Sequence, residues 1–225
     1  VQGPPRSLKV QAKGYGEMTL DWTSSSKTLL KFIIYYSAQG DTLNKTITTD
    51  NNGQNYYRIT GLRPYTKYTV YVAAIDFLSN DAGIPVGPVT IVTREENPSD
   101  APEVTDWHSM TYPDNSKLRN VTIHWKLPPK EKWNGNLTKY IIQYRKILKF
   151  TEEIKSTSSI NLWGQHMIID NSSATKGTIV GLHVDSAYDV EMQMCNRAGC
   201  GGIGNRIVIK ALAEDIIYGT RTNYT

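Results

Sequence analysis

The chain has 225 residues, 14 of them tyrosine, and its formal net charge of +4 comes from 25 basic and 21 acidic side chains. This charge is too small to suggest a nucleic-acid partner, and no apolar run reaches the length of about 18 residues that predicts a membrane span. Short runs of Val, Ile, Thr and Tyr separated by Gly, Pro, Asn and Asp indicate an all-β protein with room for two domains of about 100 residues.

The first half of the chain predicts seven short strands. SLKVQAK alternates apolar and polar residues after Pro4 and Pro5, as an edge strand does. EMTLDWT follows and places Met18, Leu20 and Trp22 on one face. The runs KFIIYYSA, NKTITT, NYYRIT, KYTVYVAAI and VTIVT complete the set. The opening VQGPPRSLKV lacks the apolar core of a signal peptide, so a surface protein would be represented here by an excised piece.

One stretch of the chain occurs twice. In GLRPYTKYTVYVAAID, residues 61–76, Tyr68 follows Leu62 by six residues and an alternating apolar run begins. Leu182 and Tyr188 repeat this arrangement. A leucine that closes one end of a sandwich, followed by a tyrosine at the corner of the next strand, is typical of the E–F corner of an immunoglobulin-like domain. Two copies predict two such domains.

The order of landmarks resembles the fibronectin type III module over nearly the whole chain. The first copy has Trp22, Phe32, Ile34, Tyr36, Leu62 and Tyr68, and the second has Trp125, Tyr140, Ile142, Tyr144, Leu182 and Tyr188. The resemblance implies an all-β fold of two seven-stranded, immunoglobulin-like sandwiches in tandem. We predict type III domains at 1–94 and 102–213, a short linker at 95–101 and a C-terminal tail at 214–225.

The junction TREENPSDAPEV is similar to those between tandem type III repeats of neural cell-adhesion molecules and of receptor tyrosine phosphatases of the LAR kind. Pro98 and Pro102 should restrict the angles between the domains.

The second domain is longer in its B–C and C–E segments, and each extra segment contains a tryptophan, Trp133 or Trp163. Either side chain is expected to act as a partner contact or to pack over the sandwich.

The chain has two cysteines, Cys195 and Cys200, and both lie where strand F of the second domain turns into strand G. Cys195 has outward parity in the alternating pattern, and Cys200 lies beyond a turn of four residues. We predict a disulfide between them; two free thiols are the alternative. A disulfide would favour an oxidising compartment.

Five Asn-x-Ser/Thr sequons exceed the roughly two or three that this composition would give by chance. They predict N-glycosylation and therefore a secreted or cell-surface protein. The five acceptor asparagines are Asn44, Asn120, Asn136, Asn171 and Asn223.

No catalytic constellation occurs in the sequence. The four histidines are scattered, two cysteines without further Cys or His partners do not make a zinc site, and GCGGIG leads into a strand instead of a helix. We therefore predict a non-enzymatic fragment without cofactor or metal. Whether the parent protein carries a phosphatase or kinase domain is left open.

Strand parity predicts one binding surface. Four residues of strands C and F in the first domain point away from its core, and we call them the apolar face: Ile33, Tyr35, Tyr71 and Ile75. Contiguous apolar surface on a sheet exterior usually makes contact with something, either a partner protein or other parts of the parent chain. The corresponding exterior of the second domain is expected to be charged, with Asp189 and Glu191 among its residues.

A second, basic surface could bind heparan sulfate, although acidic residues interrupt it and a solvated face is the simpler interpretation. Its basic residues are Lys126, Lys130, Lys132, Lys139, Arg145, Lys146 and Lys149.

Together these features predict a recognition or spacer module from the ectodomain of an animal plasma-membrane receptor or adhesion protein. Its expected partner is another cell-surface or secreted protein. A cytokine-receptor pair is one alternative, but that family has paired disulfides in its first domain, where this chain has no cysteine. An accessory type III module of a secreted enzyme is the other.

Overall fold

The computed structural model describes residues 5–24, 31–50, 53–76, 78–147 and 164–212. The chain divides into two compact units, Val1–Glu96 and Asn97–Thr225, and the division falls inside the predicted linker. The described elements of the first unit are the strands β1 Arg6–Gln11, β2 Met18–Thr23, β3 Lys31–Ala38, β4 Lys45–Thr48, β5 Tyr56–Ile59, β6 Lys67–Ile75 and β7 Val86–Val92. Those of the second are β8 Glu103–Thr111, β9 Leu118–Lys126, a 3₁₀ helix Lys130–Lys132, β10 Lys139–Lys146, β11 Gln165–Ile169, β12 Lys176–His183, β13 Tyr188–Cys195 and β14 Ile207–Ile209.

Each unit contains two antiparallel sheets with the same order of strands. In the first unit the sheets run β1-β2-β5 and β4-β3-β6-β7. In the second they run β12-β9-β8 and β11-β10-β13-β14. The prediction of two seven-stranded, immunoglobulin-like sandwiches in tandem is confirmed.

The core of each sandwich is built on the tryptophan of strand B. In the first unit Trp22 is 3% exposed, and its ring meets that of Phe32 edge-on at 5.2 Å between centroids. In the second unit Trp125 is 3% exposed and lies 5.3 Å from Tyr140. Residues of the alternating runs complete both cores, so the inward parity predicted for these strands is confirmed.

Both predicted corners are present. The hydroxyl oxygen of Tyr68 accepts a hydrogen bond from the backbone N–H of Arg63 at 3.0 Å, and Leu62 is buried beneath it. Tyr188 and His183 repeat this bond at 3.0 Å. The hydroxyl group therefore gives an otherwise unpaired backbone donor its partner at the turn into strand F.

The second core also holds a charged side chain that sequence reasoning missed. Arg119 of β9 is completely buried. Its Nη2 donates to the carbonyl oxygens of Ser186, at 3.0 Å, and Lys210, at 2.7 Å, and its Nη1 donates to Ser109 Oγ at 3.2 Å. One guanidinium group thus ties β8 to the E–F corner and to the end of β14.

A disulfide joins Cys195 to Cys200. Cys195 is buried although it alternates with the core residues Val190, Met192 and Met194. The turn that the disulfide closes packs against the residues that lead into the second unit. A Cβ atom on Gly199 would lie 2.7 Å from Asn97 Oδ1, and one on Gly201 would lie 2.5 Å from the Pro98 carbonyl oxygen.

The B–C segment also binds the residues that lead into the second unit, residues 97–99, which we call the lead-in residues. The backbone N–H of Ser99 donates to the carbonyl oxygen of Lys132 at 2.9 Å. Asn134 Nδ2 donates to the carbonyl oxygen of Asn97, also at 2.9 Å. Residues 97–99 are therefore bound to the second sandwich.

Replacing both cysteines with serine should loosen this attachment. The closed loop is short, so chain entropy predicts a loss of only about 2 kcal/mol in the stability of the second domain. The larger expected effect is local, because the turn at Gly199 and Gly201 would no longer be held against Asn97 and Pro98. Hydrogen exchange measured by NMR should be faster at the Ser99 amide, while the Arg63 amide in the first domain serves as control. An unchanged Ser99 amide would show that the B–C segment alone holds the attachment.

Candidate protein-binding surface

The apolar face lies on the outside of the sheet β4-β3-β6-β7. Tyr35 and Tyr71 are direct cross-strand partners, Ile33 pairs with Ala73, and Ile75 pairs with Lys31. Cβ atoms of such partners are about 4.5–5.5 Å apart, so the side chains form one continuous patch. All four residues of the apolar face are half-buried, and Ala73 between them is fully buried.

A glycine on the edge strand β7, Gly87, makes room for the side chain of Tyr71. Gly87 has a φ of 123°, and a Cβ atom there would lie 3.2 Å from Tyr71 Cδ1 and 2.7 Å from the Val70 carbonyl oxygen. Any side chain at position 87 would therefore displace the tyrosine ring or the backbone. This contact helps to fix the orientation of Tyr71 on the apolar face.

The loop between β6 and β7 adds apolar residues that the sequence analysis missed. Ala82 bridges to Ile75, and the N–H of Gly83 donates to the Ala74 carbonyl oxygen at 2.9 Å. Ile84 follows in the same loop and is 75% exposed. The apolar face therefore extends toward this loop. The sequence could have revealed this extension through the isolated apolar residues in the polar loop between β6 and β7.

The carboxylate of Asp76 fixes the start of this loop. Its Oδ1 accepts hydrogen bonds from the backbone N–H groups of Ser79, at 3.1 Å, and Leu78, at 2.9 Å. The bond from Ser79, followed by that from Leu78, lowers the pKa of the carboxyl group below its usual value. Leu78 is 93% exposed at the tip. The turn thus holds a large apolar side chain in solvent.

The corresponding sheet of the second domain carries charged residues on its exterior, as predicted. Asp189 and Glu191 are nevertheless buried, at 3% and 8% exposed. Asp189 Oδ2 accepts hydrogen bonds from Arg145 Nε, at 3.0 Å, and from Arg206 Nη2. The bond to Asp189 also raises the pKa of Arg206. Cross-strand arginines therefore neutralise the carboxylate and cover it, which parity alone could not show.

Trp133 packs instead of projecting freely. It is half-buried against the second core, and its indole Nε1 donates to the carbonyl oxygen of Pro128 at 2.8 Å. Lys130 Nζ lies 5.9 Å from the ring centroid. These contacts match the packing interpretation of Trp133. Trp163 lies outside the described residues, as does Lys149 of the basic surface.

Two of the basic residues proposed for heparan sulfate already have partners. Lys130 lies over Trp133, and Arg145 is bound to Asp189.

Within the part of the chain that the structure describes, no three His, Cys, Asp or Glu side chains come close enough to hold a metal ion. No helix of that part is long and apolar enough to cross a membrane.

The sequons lie in different environments. Asn44, Asn136 and Asn171 are exposed. Asn120 is half-buried within β9, and its Oδ1 accepts a hydrogen bond from the N–H of Gly181 at 3.4 Å. Asn223 lies outside the described residues. Asn44 directly precedes β4, the strand that pairs with β3 of the apolar face.

Comparison with known proteins identifies the family. The model of the fibronectin type III domain matches residues 3–80 and 110–210, which together are most of the chain. The chain belongs to the fibronectin type III family. The crystal structure of the chicken CNTN1 FN1-FN3 domains superposes with a TM-score of 0.59 at 18% identity, over 92% of this chain and 66% of that one, and it supports the fold.

The type III relatives are long cell-surface proteins. Human neogenin is 28% identical over 64% of this chain, and the Drosophila melanogaster cell adhesion molecule Dscam1 is 26% identical over 88%. The Drosophila melanogaster tyrosine-protein phosphatase Lar is 28% identical over 69%. The chain spans only 9%, 9% and 7% of these proteins, respectively. The predicted resemblance to adhesion molecules and LAR-type phosphatases is confirmed, and type III domains are non-catalytic modules.

Proposed function

We propose that this type III pair works in the ectodomain of a membrane-anchored receptor or adhesion protein and binds another cell-surface or secreted protein through the apolar face. The observation that carries the proposal is the pairing of Tyr35 with Tyr71 on the outside of a sheet, flanked by Ile33 and Ile75. Tyrosine is enriched at protein interfaces because a rigid apolar ring carries a polar tip.

The relatives support this setting, since they include a cell adhesion molecule and receptor-type phosphatases. The disulfide and the sequons fit an oxidising, extracellular compartment. The cytokine-receptor alternative is not favoured, because both cysteines of the chain belong to the second domain. The second domain, with its bound lead-in residues 97–99, serves as a spacer that holds the first.

The surface is tested by replacing Tyr35 with lysine and Tyr71 with glutamate in the same chain. Opposite charges at directly paired positions avoid the repulsion of two like charges, so the fold should persist. Loss of two aromatic anchors at about 2 kcal/mol each should weaken partner binding by roughly 800-fold if the two losses add. The measurement is binding of the multimerised tandem to an array of purified cell-surface and secreted ectodomains, with circular dichroism as a check on folding.

A matched control places the same charges on the second domain. Ile168 and Val208 are 54% and 48% exposed on the sheet that corresponds to the one with the apolar face. Ile168→Glu with Val208→Lys, which places the lysine opposite Asp189 instead of a second carboxylate, should leave binding unchanged. Undiminished binding by the Tyr35 and Tyr71 variant, or an equal loss in the control, would contradict the proposal.

A further inference from the structure

The sequon at Asn44 belongs to the strand that borders the apolar face. β4 pairs with β3 so that Thr48 faces Ile33 and Thr46 faces Tyr35. Ile47 packs on the core, and Thr46 on the opposite parity therefore points to the same side as Tyr35. Thr46 is also the hydroxyl residue of the sequon, whose acceptor Asn44 has the same parity and is exposed.

Continuing this register places Asn44 diagonally across from Tyr35. Diagonal neighbours on adjacent antiparallel strands are about 7–8 Å apart. An asparagine side chain with one attached N-acetylglucosamine covers that distance. The sugar ring presents C–H groups on its face, and Tyr35 presents a half-buried ring with an apolar body and a polar tip. The two surfaces are complementary.

The remaining sequons do not offer this arrangement. Asn44 is the only acceptor in residues 1–96, and the other four lie in the second domain or beyond it. Along the apolar face, the pair Ile75 and Lys31 lies at the end away from Asn44, whereas Ser37 and Thr69 lie at the near end. A glycan on Asn44 therefore approaches the two tyrosines from one side only.

We propose that an N-linked glycan on Asn44 packs its first sugar against Tyr35 and leaves the end of the apolar face at Ile75 open. The glycan then sets the direction from which a protein partner reaches Tyr71. Only the effect on the direction of partner binding rests on the proposed function. The contact between the sugar and Tyr35 exists with or without a partner.

Nitration by tetranitromethane measures the contact directly. The whole chain is secreted from animal cells that make high-mannose glycans, as wild type and as Asn44→Gln, so that the other sequons remain matched. Half of the wild type is trimmed with an endoglycosidase that leaves a single N-acetylglucosamine on each site. Mass spectrometry of peptides then gives glycan occupancy at Asn44 and the nitration rate of Tyr35. Tyr15, which is 70% exposed, is the internal reference.

Nitration of Tyr35 should be roughly threefold or more slower in both the intact and the trimmed glycoprotein than in Asn44→Gln, as expected for a packed aromatic contact. Tyr15 should react equally in all three. An unoccupied Asn44, equal nitration of Tyr35, or protection that disappears on trimming would overturn the proposal. None of these outcomes would affect the binding test with Tyr35→Lys and Tyr71→Glu, so the two proposals fail separately.

Discussion

Replacing Arg119 with methionine should lower the free energy of unfolding of the second domain by about 3–5 kcal/mol. Methionine has a similar length and fills most of the same space, so the loss arises chiefly from polar groups. The carbonyl oxygen of Ser186 would lose its charged donor in a buried position, and that of Lys210 would lose it in a partly buried one. Each buried acceptor left without a partner costs about 1–3 kcal/mol.

Denaturant unfolding of the whole chain, followed separately for each domain by NMR, measures the effect. Ser109→Ala is the matched control, because it removes only the 3.2 Å bond to Nη1 and should cost about 1 kcal/mol. The first domain should unfold unchanged in both variants. A midpoint for Arg119→Met within error of wild type would show that the two carbonyl groups find other donors.

The position of Arg119 also shows where reasoning from an internal repeat fails. Aligning Trp22 with Trp125 places Gly16 opposite Arg119. In the first domain a Cβ atom on Gly16 would lie 2.9 Å from the Leu62 carbonyl oxygen, so no side chain fits there. The two domains close the same end of the sandwich differently. A search for residues shared by the two domains cannot reveal a side chain such as Arg119, which only the second domain has.

Strand parity predicted most of the fold, because period-two alternation places Leu20, Ile34 and Val70 inward whatever the loops do. It also located the apolar face, whose members all lie on the outside of one sheet. It placed Asp189 on the exterior of its sheet, but parity does not tell what covers that side. Of the two arginines that cover Asp189, Arg145 lies on the paired strand β10, and Arg206, 17 residues away, directly precedes β14.

The bound lead-in residues illustrate a different limit. Pro98 and Pro102 predict restricted angles between the domains, and that stays a prediction. The attachment of Asn97 and Ser99 depends on Asn134 and the Lys132 carbonyl group in the B–C segment and on glycines in the disulfide turn. Such contacts join segments that are more than 30 residues apart, for example Ser99 and Lys132. They carry no local signal in composition or periodicity.

Alanine in place of either core tryptophan should destabilise one domain and leave the stability of the other unchanged. Trp22→Ala and Trp125→Ala each remove a buried indole, which costs about 3–5 kcal/mol in well-packed cores. Each ring also loses its aromatic neighbour, Phe32 at 5.2 Å or Tyr140 at 5.3 Å. Calorimetry of the whole chain should show one transition shifted down and one in place, and the two variants serve as controls for each other.

Phenylalanine at the same positions separates packing from hydrogen bonding. Among the described residues, neither Trp22 Nε1 nor Trp125 Nε1 has a hydrogen-bond partner. Trp→Phe therefore removes no bond and should cost only about 1–2 kcal/mol, as a partial loss of buried volume does. A loss as large as that of alanine would show that the indole N–H is bonded in solution. A shift of both transitions by one substitution would show that each domain depends on the other for its stability, in spite of their separate cores.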